Sequence, residues 1–202
     1  MKRIVSIIAL LTLVCLLATS CGGTTENTVY DKLNNLAENG VYNYLAVTVT
    51  TVIDEQTELE NTYTYQQVGD ELHVEFTIQS LAEYEEGSDG WIAPDDIIET
   101  VSGSAVIKDG EVVSFSGNSE AQDFSCVTFP SFNFKAAYFS SVVDEDGHFA
   151  ANVVSPGAFL GTYSPCSAMS IDVNYHQFTI TEMVITYTSP ERHQVTAKYE
   201  YK

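Results

Sequence analysis

From Val41 to the end of the chain, apolar and polar residues alternate with a two-residue period, and short turn signals break the alternation into runs. Successive side chains of a β-strand point to opposite faces, so each run reads as a strand with one face turned to a core. In 41–54, Leu45, Val47, Val49 and Thr51 fall on one face and Tyr44, Ala46, Thr48 and Thr50 on the other. The stretch 59–68 follows after a polar turn, and Leu72, Val74, Phe76 and Ile78 repeat the pattern after Gly69-Asp70. Three successive strands of this kind form an antiparallel meander. Asp109-Gly110 separates 105–108 from 111–116 and tolerates the positive φ angles of a two-residue type I′ hairpin. A second hairpin is predicted for 132–143 and 148–154 around Asp144-Glu145-Asp146-Gly147, and Ser155-Pro156-Gly157 opens a helical turn containing Phe159 and Leu160. The tail, 169–175, 177–187 and 194–201, is a closing meander in which Phe178, Ile180, Ile185, Tyr187, Val195, Ala197, Tyr199 and Tyr201 mark the alternation. Between the two halves, 81–85 reads as a strand and 94–99 as the start of a short helix.

Only one segment of the later chain has the helical period. Val29, Leu33, Leu36 and Ala37 recur at i, i+4, i+7 and i+8 within 25–39, and Gly40 stops the helix. The expected class is α+β, mostly antiparallel β, with about ten strands behind an N-terminal amphipathic helix. No repeat of fixed period, Pro-rich linker or low-complexity tract divides the chain, so residues 29–202 read as a single β-rich globular domain.

The first 20 residues do not belong to that domain. Lys2 and Arg3 precede an apolar run from Ile4 to Leu17, then small residues lead to Cys21. The run is shorter than the ~20 residues a permanent membrane span needs, which makes 1–20 a signal peptide. Ala18-Thr19-Ser20-Cys21 resembles the bacterial lipobox, in which small residues precede a cysteine that is acylated and becomes the mature N-terminus. The resemblance implies a diacylglycerol thioether on Cys21, with or without an N-acyl chain, and an extracytoplasmic protein lipid-anchored to the bacterial cell membrane. Residues 21–28 are then the lipidated terminus and a short polar tether. Seven residues beyond Cys21 reach at most about 25 Å, so the domain would sit close to the membrane.

Charge restricts the partners. The chain of 202 residues carries 8 basic and 28 acidic side chains, a formal charge of −20. Loss of Lys2 and Arg3 leaves six bases against 28 acids, or −22, concentrated in residues 26–99, where Lys32 stands alone against 17 acids. A cationic stripe is what nucleic acid binding requires, so that partner is excluded. Anionic lipid would repel the chain, leaving the acyl chains to hold it at the membrane.

Of four cysteines, Cys15 leaves with the signal and Cys21 is the lipidation site. Cys126 and Cys166 remain, and two readings stay open: a disulfide, suited to an oxidising exterior, or two buried reduced thiols. No nucleophile elbow, zincin helix or phosphate loop is present, and His73, His148, His176 and His193 are scattered and read as surface residues. Neither catalytic residues nor metal ligands are assigned; Asp144-Glu145-Asp146 and the other acidic groups lack the spacing of an EF-hand loop.

An exported lipoprotein with a helix leading into a long strand, then two meanders, resembles the lipoprotein-carrier half-barrels of the LolA/LolB and LppX type. The likeness lies in element order along most of the mature chain. It implies a single curved sheet or half-barrel with helices over its concave side and an apolar cavity that accepts a lipid or other amphiphile. Phe124, Phe129, Phe132, Phe134, Tyr138 and Phe139 are the candidates to line such a cavity, although aromatic residues on strands serve equally as ordinary core. Tyr44, Tyr63, Tyr65, Tyr187, Tyr199 and Tyr201 fit either a recognition surface or cross-strand pairing. The expected function is non-catalytic amphiphile binding at the membrane. The alternative is an acidic surface that engages a protein or a cell-wall polycation.

Overall fold

A computed structural model describes residues 28–40, 42–54, 57–81, 98–117, 132–161 and 166–202. The expectations for Cys21, Phe124, Cys126 and Phe129, and for most of 81–85 and 94–99, lie outside the described residues.

Helix α1 (Val29–Asn39) starts at a capping box. The Thr28 hydroxyl accepts from the Asp31 amide at 3.3 Å, and the Asp31 carboxylate accepts from the Thr28 amide at 3.1 Å, so two otherwise orphaned donors are satisfied. The helix stops where the Gly40 amide donates to the Leu36 carbonyl at 3.0 Å. Its apolar stripe puts Leu33 and Leu36 wholly inside.

The ten strands among the described residues form one open antiparallel sheet, and the class predicted from the alternation holds. The strands are β1 (Tyr44–Val52), β2 (Glu58–Val68), β3 (Glu71–Leu81), β4 (Ile98–Lys108), β5 (Glu111–Gly117), β6 (Phe139–Glu145), β7 (His148–Val153), β8 (Ser167–Tyr175), β9 (Ile180–Thr188) and β10 (Gln194–Tyr201). A short helix, α2 (Pro156–Leu160), follows β7. The spatial order is β5-β4-β3-β2-β1-β10-β9-β8-β7-β6. The first meander thus runs outward from β1 and the second runs inward to β10. The two meet where β1 pairs with β10, from Leu45 opposite Tyr201 to Val52 opposite Gln194. Among the described residues, strands β5 and β6 are the two edges, and the sheet does not close. This order is consistent with a half-barrel-like sheet.

Alternation gives the sheet two unlike faces. Inward-facing Leu45, Val47, Tyr65, Val74, Phe76, Ala105, Phe149, Ile171, Val173, Met183, Ile185 and Ala197 are all buried. On the opposite face, register aligns Thr48 with Thr62, Thr62 with Thr77, and Thr77 with Ser102. Thr50, Thr196, Thr186 and Ser170 continue the stripe on the other side of β1. Threonine suits a pleated surface that faces water, since its branched Cβ favours the strand while its hydroxyl stays solvated.

The Asp109-Gly110 hairpin has φ of 53° and 81°, both positive as the mirror-image turn requires. At Gly103 an added Cβ would lie 2.7 Å from the Phe76 ring and 2.7 Å from the Ser116 carbonyl, so a glycine lets Phe76 lie across β4.

The structure corrects three expectations. Residues 132–138 are not strand: Phe132–Lys135 is irregular, Ala136–Tyr138 is a 3-10 turn, and β6 begins at Phe139. Phe134 and Phe139 are both buried although five residues apart, and an uninterrupted strand would have sent them to opposite faces. Ile98 and Glu99, read as the end of a short helix, open β4 instead. Phe178 stands in the turn between β8 and β9, 75% exposed, rather than in a strand. Of the two readings left open for the tyrosines, packing within the sheet fits all but Tyr44, which is half-buried on the outer face. Tyr65 and Tyr201 are buried, and Tyr63, Tyr187 and Tyr199 pack against the core.

Candidate functional site

Two regions of the molecule have the character of binding surfaces: the apolar face of the sheet, and a pair of grooves beside α1.

Over the C-terminal half, the apolar face is closed by rings. Phe134 approaches Phe159 at 5.5 Å, Phe139 at 6.0 Å and Phe149 at 6.3 Å between centroids, mostly edge to face. Phe132 stacks on Phe159 at 5.4 Å and meets Tyr199 edge-on at 5.3 Å. Tyr30 of α1 completes the cluster against Phe139 and Phe149 at 5.8 and 5.9 Å. Such pairs add to the burial of each ring. The segment is locked by Asn34, whose amide donates to the Phe134 carbonyl at 2.7 Å and whose oxygen accepts from the Phe134 amide at 2.8 Å. Of the six cavity candidates, Phe132, Phe134 and Phe139 therefore come together, as packing partners of one another. Tyr138 is half-buried in the 3-10 turn with the Lys135 ammonium 5.7 Å from its ring.

Over the N-terminal half the apolar face continues through Tyr63, Leu72, Val74, Phe76, Ile107 and Phe115. Phe76 and Phe115 lie parallel at 6.4 Å on β3 and β5. Ten strands span about 43 Å across the sheet. The 11 residues of α1 extend only ~16 Å. One helix over the other half cannot reach this strip, on which Tyr65, Val74, Phe76 and Ala105 are nevertheless buried while Tyr63, Leu72, Ile107 and Phe115 stay partly exposed.

The tyrosines on β9 and β10 are held in the neutral form. Burial, with Tyr187 alongside, pushes the Tyr199 hydroxyl up to about 12. Burial together with Tyr199 and Tyr42 raises Tyr201 further, and burial raises Tyr187. All three stay neutral at physiological pH. Cys166 is half-buried beside Tyr187 and packs against the core; Cys126 lies outside the described residues, so their pairing is untested.

The grooves flank α1 where it faces the β6–β7 and β8–β9 turns. One, of about 440 Å³, lies between Asn35, Asn39 and the turn residues Gln177, Phe178 and Thr179. The other, of about 420 Å³, lies between Lys32, Asp146, Tyr175 and His176, and Gln177 lines both. The walls are fixed. The Tyr42 hydroxyl donates to the Leu36 carbonyl at 2.9 Å and accepts from the Ile180 amide at 2.9 Å, which ties the end of α1 to the start of β9. The His176 amide donates to the Thr179 carbonyl at 2.8 Å and closes the turn. The Lys32 ammonium sits 4.5 Å from the Tyr175 ring centre. Burial, then Asp144 and Asp146, raise the Tyr175 hydroxyl above its ordinary value. These residues come from three distant stretches of sequence. The one available signal, the exposed aromatic Phe178, matched the strand period and was concealed by it.

On the outer face His148 is engaged rather than a bare surface residue, its Nε2 2.9 Å from an Asp172 carboxylate oxygen. Lys198 bridges Glu182 and Glu200 at 3.0 and 3.3 Å, and Lys108 pairs with Asp70 at 2.8 Å. Among the described residues no group of three or more His, Cys, Asp or Glu side chains is placed to hold a metal ion, and no helix is long and apolar enough to cross a membrane. No family model matches the chain, and no curated protein matches it in sequence.

Proposed function

We propose that this protein is an extracytoplasmic lipoprotein, anchored through acyl chains on Cys21, that binds a lipid or other amphiphile along the apolar face of its sheet. The observation that carries this reading is the width of that face. An apolar strip from β2 to β5, with Tyr63, Leu72, Ile107 and Phe115 partly exposed along it, extends past the reach of α1 and is continuous with the aromatic cluster beneath that helix. Ligand pockets are commonly apolar surfaces with few polar groups, as this strip is. A non-catalytic role follows from the lack of any nucleophile motif in the sequence.

The test is titration of the mature chain with an environment-sensitive fluorescent fatty acid. The reading expects a fluorescence rise that saturates near one probe per chain and is reversed by added phospholipid. An unsaturable or absent rise overturns it.

The alternative, an acidic surface that engages a protein or wall polycation, draws support from the outer face, where Glu58, Glu60, Glu71 and Glu75 lie on β2 and β3 with Lys108 on β4. Such binding would weaken steeply between low and physiological salt. Salt-insensitive binding would count against it.

A further inference from the structure

We propose that the paired grooves beside α1 form a binding site for a neutral oligosaccharide, separate from the apolar face and independent of the amphiphile reading. Three observations support that class of ligand.

The first is Phe178. A phenylalanine left 75% exposed forgoes most of its burial energy, yet this one stands at a groove mouth on a turn closed by the His176–Thr179 hydrogen bond. The face of an aromatic ring is electron-rich and attracts the weakly positive C–H groups on one side of a pyranose.

The second is the supply of amides. Asn35, Asn39 and Gln177 line the groove and offer both donors and acceptors, which matches sugar hydroxyls that also do both. The Asn39 amide donates to the Asn35 oxygen at 2.8 Å, so this pair is oriented before any ligand arrives. Gln177 forms no side-chain hydrogen bond among the described residues and reaches both grooves.

The third is charge balance and access. Lys32 and His176 face Asp146 across the second groove, which leaves no strong preference for an ion of either sign. Strands β8 and β9 are interior to the sheet, so no backbone edge is offered to a peptide. Grooves of about 440 and 420 Å³ fall within the range of small-ligand sites, and Gln177 lines both, so neighbouring sugar rings could occupy adjacent grooves.

A neutral glycan reaches an exported protein from two sources, the N-acetylated amino sugars of a cell wall or other polysaccharides. Saturation-transfer NMR and calorimetry on the mature chain distinguish them, with the trimer of N-acetylglucosamine against maltotriose, cellotriose and mannotriose. Binding of at least one trisaccharide is expected, weakened about tenfold or more by Phe178→Ala and severalfold by Gln177→Ala. Melting temperature should be unchanged in Phe178→Ala, because so little of the ring is buried. Selective binding of the acetylated trimer assigns the wall source, and the reverse selectivity assigns the other; either supports the site. Absence of binding to all four, or unaltered affinity in Phe178→Ala, overturns the proposal. Fatty-acid probe binding should survive both substitutions, so failure of one site is told apart from failure of the other.

Discussion

Tyr42→Phe removes one oxygen atom and tests how the helix is held to the sheet. The hydroxyl donates to the Leu36 carbonyl and accepts from the Ile180 amide, both at 2.9 Å. The two losses are unequal. Leu36 keeps a second partner, the Gly40 amide at 3.0 Å, so only an ordinary hydrogen bond of about 1 kcal/mol is lost there. Ile180 is 2% exposed, and its amide, stripped of its acceptor, bears an additional cost of about 1–2 kcal/mol. Phenylalanine fills the same volume and keeps the ring contact with Tyr201 at 4.8 Å, so no cavity adds to the figure. The total is about 2–3 kcal/mol. With a urea m-value of about 2 kcal/mol/M, the unfolding midpoint of the mature chain should fall by roughly 1 M with the slope unchanged. Amide exchange of 177–180 should also accelerate, since the anchor of the β8–β9 turn is gone. A midpoint shift worth less than about 0.5 kcal/mol would refute the view that this hydroxyl links α1 to β9.

Three further outcomes follow from the same structure. Asn34→Ala should cost about 2–3 kcal/mol in urea unfolding, because the amide and carbonyl of buried Phe134 lose their partner together; Asn34→Asp, which restores only the acceptor, should recover less than half. Gly147, at φ 83° with the Tyr175 carbonyl 3.0 Å from where a Cβ would stand, should lose about 1–2 kcal/mol on replacement by alanine, read as a lowered melting temperature. The contribution of Tyr199 to stability should be constant below pH 10, the unfolded tyrosine value, and should then be lost as pH rises toward 12. Burial favours the neutral form of Tyr199, so the folded state holds its proton longer; the two-unit displacement is worth about 2–3 kcal/mol. In urea unfolding followed from pH 9 to 12, Tyr199→Phe should make the alkaline decline shallower, with Tyr175, Tyr187 and Tyr201, also raised by burial, supplying the rest.

Alternation and turn chemistry made most of the sheet legible. Leu72, Val74 and Phe76 announced β3, Asp109-Gly110 announced its hairpin, and Gly40 marked the end of α1. The break before β6 was also readable in parity: Phe132 and Phe134 share a face with each other and not with Phe139, so one straight strand could not bury all three. The same parity sets Tyr199 and Tyr201 with Val195 and Ala197, which identifies them as core residues. The capping box of Thr28 and Asp31 was equally present in the sequence. Other features left no local trace. The β8–β9 turn contains neither glycine nor proline, so nothing separated Phe178 from the period of β9. The lock between Asn34 and Phe134 and the meeting of Lys32 with Tyr175 depend on how the two meanders join at β1 and β10, and a periodic pattern carries no information about that join.

The central claim is that the apolar face holds an amphiphile, and native mass spectrometry of the protein extracted from the membranes of its own host tests it most directly. The account predicts a chain beginning at an acylated Cys21 that carries one further, non-covalent adduct of lipid mass, shed on gentle activation. An acylated chain that retains no adduct under conditions that preserve a control lipid complex would contradict it.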